Sequence, residues 1–168
     1  MIRRLALASA LFVAVGSAAP SMAVADSSIS GLDISASVSN NCTISAAGLS
    51  FGTYNPVEGR SVTGTVTTNC NLYATAVIKL DQGMNSATGS SSTAPLRRLR
   101  NDSNTNYLSY TLYQNSGKTT IWGNSTETGV TVTGTGSSKS TSVYGEIPAG
   151  QTAPSGTYTD TVTATVTY

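Results

Sequence analysis

Apolar and polar residues alternate along most of this chain. Leu32, Ile34, Ala36 and Val38 interleave with Asp33, Ser35 and Ser37, the period-two pattern of a half-buried strand. The C-terminal stretch Gly156–Tyr168 repeats the pattern. Tyr158, Asp160, Val162, Ala164, Val166 and Tyr168 share one face, and threonines 157 through 167 at odd positions fill the other. Between these ends, Ser61–Cys70, Tyr73–Asp81, Tyr107–Gln114, Lys118–Gly123 and Ser140–Pro148 also read as strands. Short strands separated by turn residues predict an all-β sandwich. The longest irregular piece, Gln82–Asn106, opens with Ser, Gly, Asn and Thr and is expected to be a surface excursion within the domain. Its Arg97, Arg98 and Arg100 fit a solvated loop end better than a ligand patch.

Composition supports the same class. Thr, Ser, Gly, Val and Tyr are abundant, and this mixture favours strands and turns over helices. The opening residues differ: Arg3 and Arg4 precede an apolar run from Leu5 to Val15, and Ala23-Val24-Ala25 fits a small-residue cleavage site. Residues 1–25 are therefore expected to be a secretory signal peptide, cut before Asp26. Removing 25 of the 168 residues leaves 143, one domain's worth. Arg3 and Arg4 leave with the signal, so seven basic and eight acidic residues remain, a net charge of −1. That balance makes nucleic acid a poor partner. No second apolar run approaches membrane-spanning length, so membrane insertion is not expected.

Chemistry-bearing groups are few. The chain has no histidine, and so no side chain poised as a base near neutral pH. Cys42 and Cys70 in an exported chain are expected to form a disulfide, closing a loop worth roughly 3–4 kcal/mol. Two thiols without histidine make no metal site, and no phosphate-binding loop or nucleophile elbow occurs. Neither enzymatic activity nor a cofactor is expected. Asp160 is the one acid on an otherwise apolar face; it is either a buried, hydrogen-bonded structural acid or a residue near the exposed end of its strand, and the second is the commoner situation. The N-x-S/T matches at Asn41, Asn101 and Asn124 are expected by chance in so Ser-, Thr- and Asn-rich a chain.

The two terminal strands allow two architectures. In one, both complete the chain's own sheets, giving a self-contained secreted immunoglobulin-like binding or coat module. Tyr107, Tyr113 or Trp122 would then be candidates for sugar contact, although core or cross-strand packing is the commoner role of such rings. In the other, the sandwich lacks a strand, and a neighbour's Leu32–Val38 segment fills the gap by β-strand addition. Burying Leu, Ile and Val there would contribute roughly 5–8 kcal/mol.

An ordered set of motifs favours the second architecture. After the strand preceding Cys42 come "CTI", "LSFGTYNP", "GTVTTNC", "LDQGMN", "LRRLRN", "YLSYTLYQN", "IWG", "VYGEIPAGQ" and "GTYTDTVTATVTY". In this order they resemble the spore coat protein U domain family, which includes pilin subunits of archaic, Csu-type chaperone–usher pili. The resemblance implies an incomplete immunoglobulin-like sandwich completed by a donor strand from the neighbouring subunit. It implies a donor segment at residues 26–41 with Leu32, Ile34, Ala36 and Val38 as inward side chains, and a pilin domain at residues 42–168. Cys42 and Cys70 match the family's disulfide. Tyr158, Val162, Val166 and Tyr168 match the C-terminal strand bordering the groove and contacting a chaperone. The implied partners are identical or homologous pilins, a periplasmic chaperone and an outer-membrane usher. The implied destination is the surface of a Gram-negative cell, with adhesion and biofilm formation as the consequence. Ala36 is small where a larger side chain would fill more of a groove.

Overall fold

A computed structural model describes residues 26–103 and 105–168; the expected signal peptide, residues 1–25, lies outside them. The described residues form nine strands: β1 Cys42–Ala46, β2 Arg60–Cys70, β3 Thr75–Leu80, β4 Arg97–Asn101, β5 Tyr107–Tyr113, β6 Val130–Thr133, β7 Ser138–Ile147, β8 Tyr158–Thr159 and β9 Ala164–Thr167. No helix occurs among the described residues. Two sheets result, one ordered β1-β2-β7-β5-β4-β8 and the other β6-β3-β9. Every ladder is antiparallel. The all-β, immunoglobulin-like expectation therefore holds.

The long β2–β7 ladder runs from Arg60 opposite Ile147 to Asn69 opposite Ser138 and forms the spine of the larger sheet. Alternating burial places Val66, Val143, Leu108, Tyr110 and Leu112 inward to meet Ala76, Ile78 and Leu80 of β3. Trp122 is fully buried between them, its indole N–H donating to the Ile78 carbonyl at 2.9 Å. The ring that was a candidate sugar contact is thus a core residue whose single polar atom is satisfied. Tyr107 lies beneath the Arg98 guanidinium at 4.0 Å, and Tyr113 is half-buried in β5.

Five strand expectations change. Leu32–Val38 forms no strand; residues 26–41 are exposed throughout and carry no ladder. An alternating segment without a sheet edge to join is not stable as a strand. Lys118–Gly123 makes only an isolated bridge, Ile121 to Tyr113. Asn115 accounts for this: its side-chain oxygen accepts the N–H groups of Thr119 and Thr120, holding the chain in a turn. Gln82–Asn106 is not an irregular excursion, because it contains β4. Neither β1 nor β6 was anticipated from the pattern. Finally, the stretch predicted as one strand over Gly156–Tyr168 is split into β8, which pairs with β4, and β9, which pairs with β3. The chain changes sheets over residues 160–163.

Candidate functional site

Both sheets end on strands that line two adjoining cavities, Ala46 of β1 and Ala164 of β9 the first and Tyr158 of β8 the second. β1 is the last strand of the larger sheet at one side, and β8 and β9 each end their own sheet at the other. Backbone direction along the second lip follows from its hydrogen bonds. The carbonyls of Thr157, Thr161 and Thr163 accept from the N–H groups of Asp102, Met84 and Asp81. Odd residues thus spend their backbone groups on the β3–β4 side, and strand alternation turns those of Tyr158, Asp160, Val162 and Ala164 the other way. No strand among the described residues pairs with them there. This is an open sheet edge beside an uncovered core, an arrangement that invites strand pairing.

The groove floor is mainly apolar in its first part and mixed in its second. A cavity of about 310 Å³ lies between Leu49, Phe51, Val66, Leu99, Leu112 and Val162. Leu49, Phe51 and Leu99 continue into a second cavity of about 700 Å³, which runs past Ala153 to Tyr158. Two glycines on adjacent strands make the floor possible. A Cβ at Gly64 or Gly145 would collide with the Leu49 side chain, so their bareness lets Leu49 and Phe51 lie flat on the β2–β7 ladder.

One polar cluster interrupts this floor. Asp160 lines the cavity and accepts hydrogen bonds from the Tyr110 hydroxyl at 2.7 Å and from the Asn85 amide N–H and side-chain nitrogen at 3.1 Å each. Of the two alternatives for Asp160, the hydrogen-bonded structural acid is the one found, half-buried and satisfied, and the commoner exposed strand end is not. A second carboxylate, Asp81, accepts from the N–H groups of Thr163 and Gly83 at 2.9 Å. These two acids hold the 160–163 crossover to the turn after β3, which is why the C-terminal stretch is not one continuous strand.

Arg97 sits behind the cluster. Instead of being a solvated loop end, it is 1% exposed and donates to the carbonyls of Leu80, Asp81 and Trp122 at 2.8 Å. Burial lowers its guanidinium to about 10, so it stays cationic at neutral pH, facing Tyr110, Asp81 and Asp160. Burial, reinforced by the hydrogen bond to Asp160, drives the Tyr110 phenol far above its usual range. Arg98 donates to the carbonyls of Asn85 and Ser86 at 3.0 Å. Arg98 thus ties the 82–96 segment to β4, while Arg97 joins the end of β3 to Trp122, roles that charge alone did not reveal.

The remaining expected site residues are distributed as follows. Cys42 and Cys70 form the disulfide, and they are opposite one another in the β1–β2 ladder. Leu32, Ile34 and Val38 are 84%, 86% and 86% exposed, and Ala36 is exposed with them. Tyr158 and Val162 line the two cavities. Val166 is half-buried against the core in β9. Tyr168 lies beyond β9, 54% exposed, so it does not share the inward face its spacing suggested. Among the described residues no cluster of three His, Cys, Asp or Glu gathers.

An antiparallel two-sheet sandwich with an open apolar groove defines an all-β structural domain. The Spore Coat Protein U domain model matches residues 29–165, and the chain belongs to that family. It is similar to Protein U of Myxococcus xanthus, 43% identical over 171 residues that cover 95% of this chain and 96% of the relative. Its fold resembles a chain in the crystal structure of the CsuC–CsuE chaperone–tip adhesion subunit pre-assembly complex from archaic chaperone–usher Csu pili of Acinetobacter baumannii. That match has a TM-score of 0.56 and 23% identity over 78% of this chain. The chain spans 40% of the length of that neighbour.

Proposed function

We propose that this protein is a structural subunit that polymerises by donor-strand exchange. The carrying observation is the pairing, in one chain, of an open apolar groove with an exposed segment of matching alternation. Leu32, Ile34, Ala36 and Val38 of one copy enter the groove of the next, while Ser35 and Ser37 face outward. The occupant strand satisfies the backbone groups of the β8–β9 lip and buries side chains worth roughly 5–8 kcal/mol, with ladder hydrogen bonds in addition. Residues 26–41 are the donor segment, 42–168 the acceptor domain, and 1–25 the export signal.

Before assembly the groove needs a temporary occupant, because an open edge over a bare core aggregates. A periplasmic chaperone that lends a strand and contacts the C-terminal stretch through Tyr158, Val162, Val166 and Tyr168 would fill that role, with an outer-membrane usher exchanging it for the next subunit. The complex that contains the fold neighbour supports this route. Surface pili that support adhesion and biofilm formation are the resulting structure. The family description favours a second destination, a spore coat built from the same polymer; immunogold labelling of vegetative cells and spores distinguishes the two.

The test removes residues 26–39 in the native host. The intact protein is expected to run on unheated SDS gels as a ladder that collapses on heating, and the ladder is expected to vanish in the deletion. A deletion that still polymerises would refute the proposal, as would an intact protein that never forms a ladder.

A further inference from the structure

Asp160 is an odd residue to find on the lip of an apolar groove, and Ala36 an odd one to find in an apolar donor. We infer that the two belong together: Asp160 fixes the register of the incoming strand by accepting only a small side chain, Ala36, opposite it. The inference rests on the donor-strand reading and specifies how that same groove selects its occupant.

The carboxylate cannot retreat from an incoming strand. Its far side abuts Gly83, where the backbone has φ +75° and an added Cβ would overlap the Asp160 carboxylate oxygen. Tyr110 and Asn85 hold it from two further directions. A branched side chain seated there would press hydrocarbon on a charged carboxylate and strip its remaining solvation. A methyl group leaves both the hydrogen bonds and the solvation in place. Of the four inward donor side chains, only that of Ala36 is small.

Placing Ala36 at Asp160 settles the other positions. With the donor antiparallel to the lip, Ile34 meets Val162, Leu32 meets the small Ala164, and Val38 meets Tyr158. A long donor side chain, Leu32, thus faces the smallest of these lip residues, and no apolar donor position is left without a lip partner. With the donor parallel, Asn40 and Cys42 would fall at Ala164 and Val166, a poorer chemical match. The backbone groups of Asp160 point into the groove, so Ala36 and Asp160 form a hydrogen-bonded pair. The flanking pairs Ser37–Thr159 and Ser35–Thr161 then have no mutual hydrogen bonds and lie closer together, at a separation a disulfide can bridge. All four of these residues are exposed, so substituting them leaves the core intact.

The register is read by cysteine cross-linking of the full chain in its native host. Ser37→Cys with Thr159→Cys, or Ser35→Cys with Thr161→Cys, is expected to yield a ladder that survives heating and collapses with reductant. The slid pairs, Ser37→Cys with Thr161→Cys and Ser35→Cys with Thr159→Cys, are expected to cross-link about tenfold less. Asp160→Val should erase that preference. Ala36→Leu should cut the heat-sensitive ladder at least about tenfold, and Asp160→Ala in the same chain should restore it. A ladder in which slid pairs cross-link as well as the aligned ones, or in which Ala36→Leu assembles normally, overturns the register inference and leaves donor-strand exchange standing. Absence of any heat-sensitive ladder from the unsubstituted chain overturns both.

Discussion

Two stretches of this chain carry almost the same alternating code and meet opposite fates. Tyr158–Thr167 is divided between two sheets, with its apolar side chains half-buried and its threonines exposed. Leu32–Val38 has comparable apolar content at the same spacing, yet every residue is exposed and none is paired. Alternation specifies which side chains share a face. It does not specify whose sheet supplies the other strand. What separates the stretches is anchoring: the C-terminal one is gripped by Asp81 and Asn85, whereas Leu32–Val38 belongs to no ladder.

If polar anchoring makes the difference, the largest effect comes from its centre. Arg97→Met strips the carbonyls of Leu80, Asp81 and Trp122 of a shared donor and unbalances two nearby acids. A loss of about 3–5 kcal/mol is expected in urea denaturation, and a loss under 1 kcal/mol would mean that apolar packing alone holds the C-terminal stretch. Next in size is the disulfide that joins the start of β1 to the end of β2. Replacing Cys42 and Cys70 by alanine together should cost roughly 3–4 kcal/mol, measured the same way.

Tyr110→Phe removes one hydrogen bond to Asp160 and should cost about 1–2 kcal/mol at neutral pH. It also carries a pH signature. The folded state holds the phenol proton well above the ordinary value of 10, so its contribution is intact below pH 10 and is lost as pH rises above it. Arg97 opposes this, since burial lowers its guanidinium from the ordinary value to about 10, which makes the fold gain stability as pH rises above 10. Arg97 is present in both proteins, so a difference in alkaline melting between wild type and Tyr110→Phe reports Tyr110. Equal slopes above pH 10 would remove Tyr110 from the cluster. The smallest effects contrast the two stretches directly. Val166→Ser should cost about 1–2 kcal/mol, and Ile34→Ser less than about 0.5 kcal/mol, while Ile34→Ser weakens the SDS-resistant ladder.

The strands with strict alternation, β2, β3, β5 and β7, were legible in the sequence to within a few residues, because their faces see core on one side and solvent on the other. β4 was not, since arginines at its inward and edge positions disguise a strand as a loop end. A buried guanidinium that serves carbonyls from three places can be recognised only once those carbonyls are assembled. β1 and β6 alternate as well, but at 5 and 4 residues they are too short for the pattern to stand out, and neighbours across the sheet define them. The lip residues Tyr158 and Val162 followed from periodicity. Tyr168 did not, because its strand ends one residue earlier, and Asp160 kept its role hidden because its partners Asn85 and Tyr110 lie far away in sequence.

The disulfide joins the first residue of β1 to the last residue of β2. Considered as a mechanical element, it is a bypass. Tension applied to residues 38–41 reaches Cys42 and passes through the sulfur bridge into β2, the strand with the longest ladder in the molecule. β1, which is the edge strand and has hydrogen bonds on one side only, carries none of that load and is not peeled off its neighbour. A chain of such domains pulled end to end would yield at the joints between domains before any domain lost its first strand.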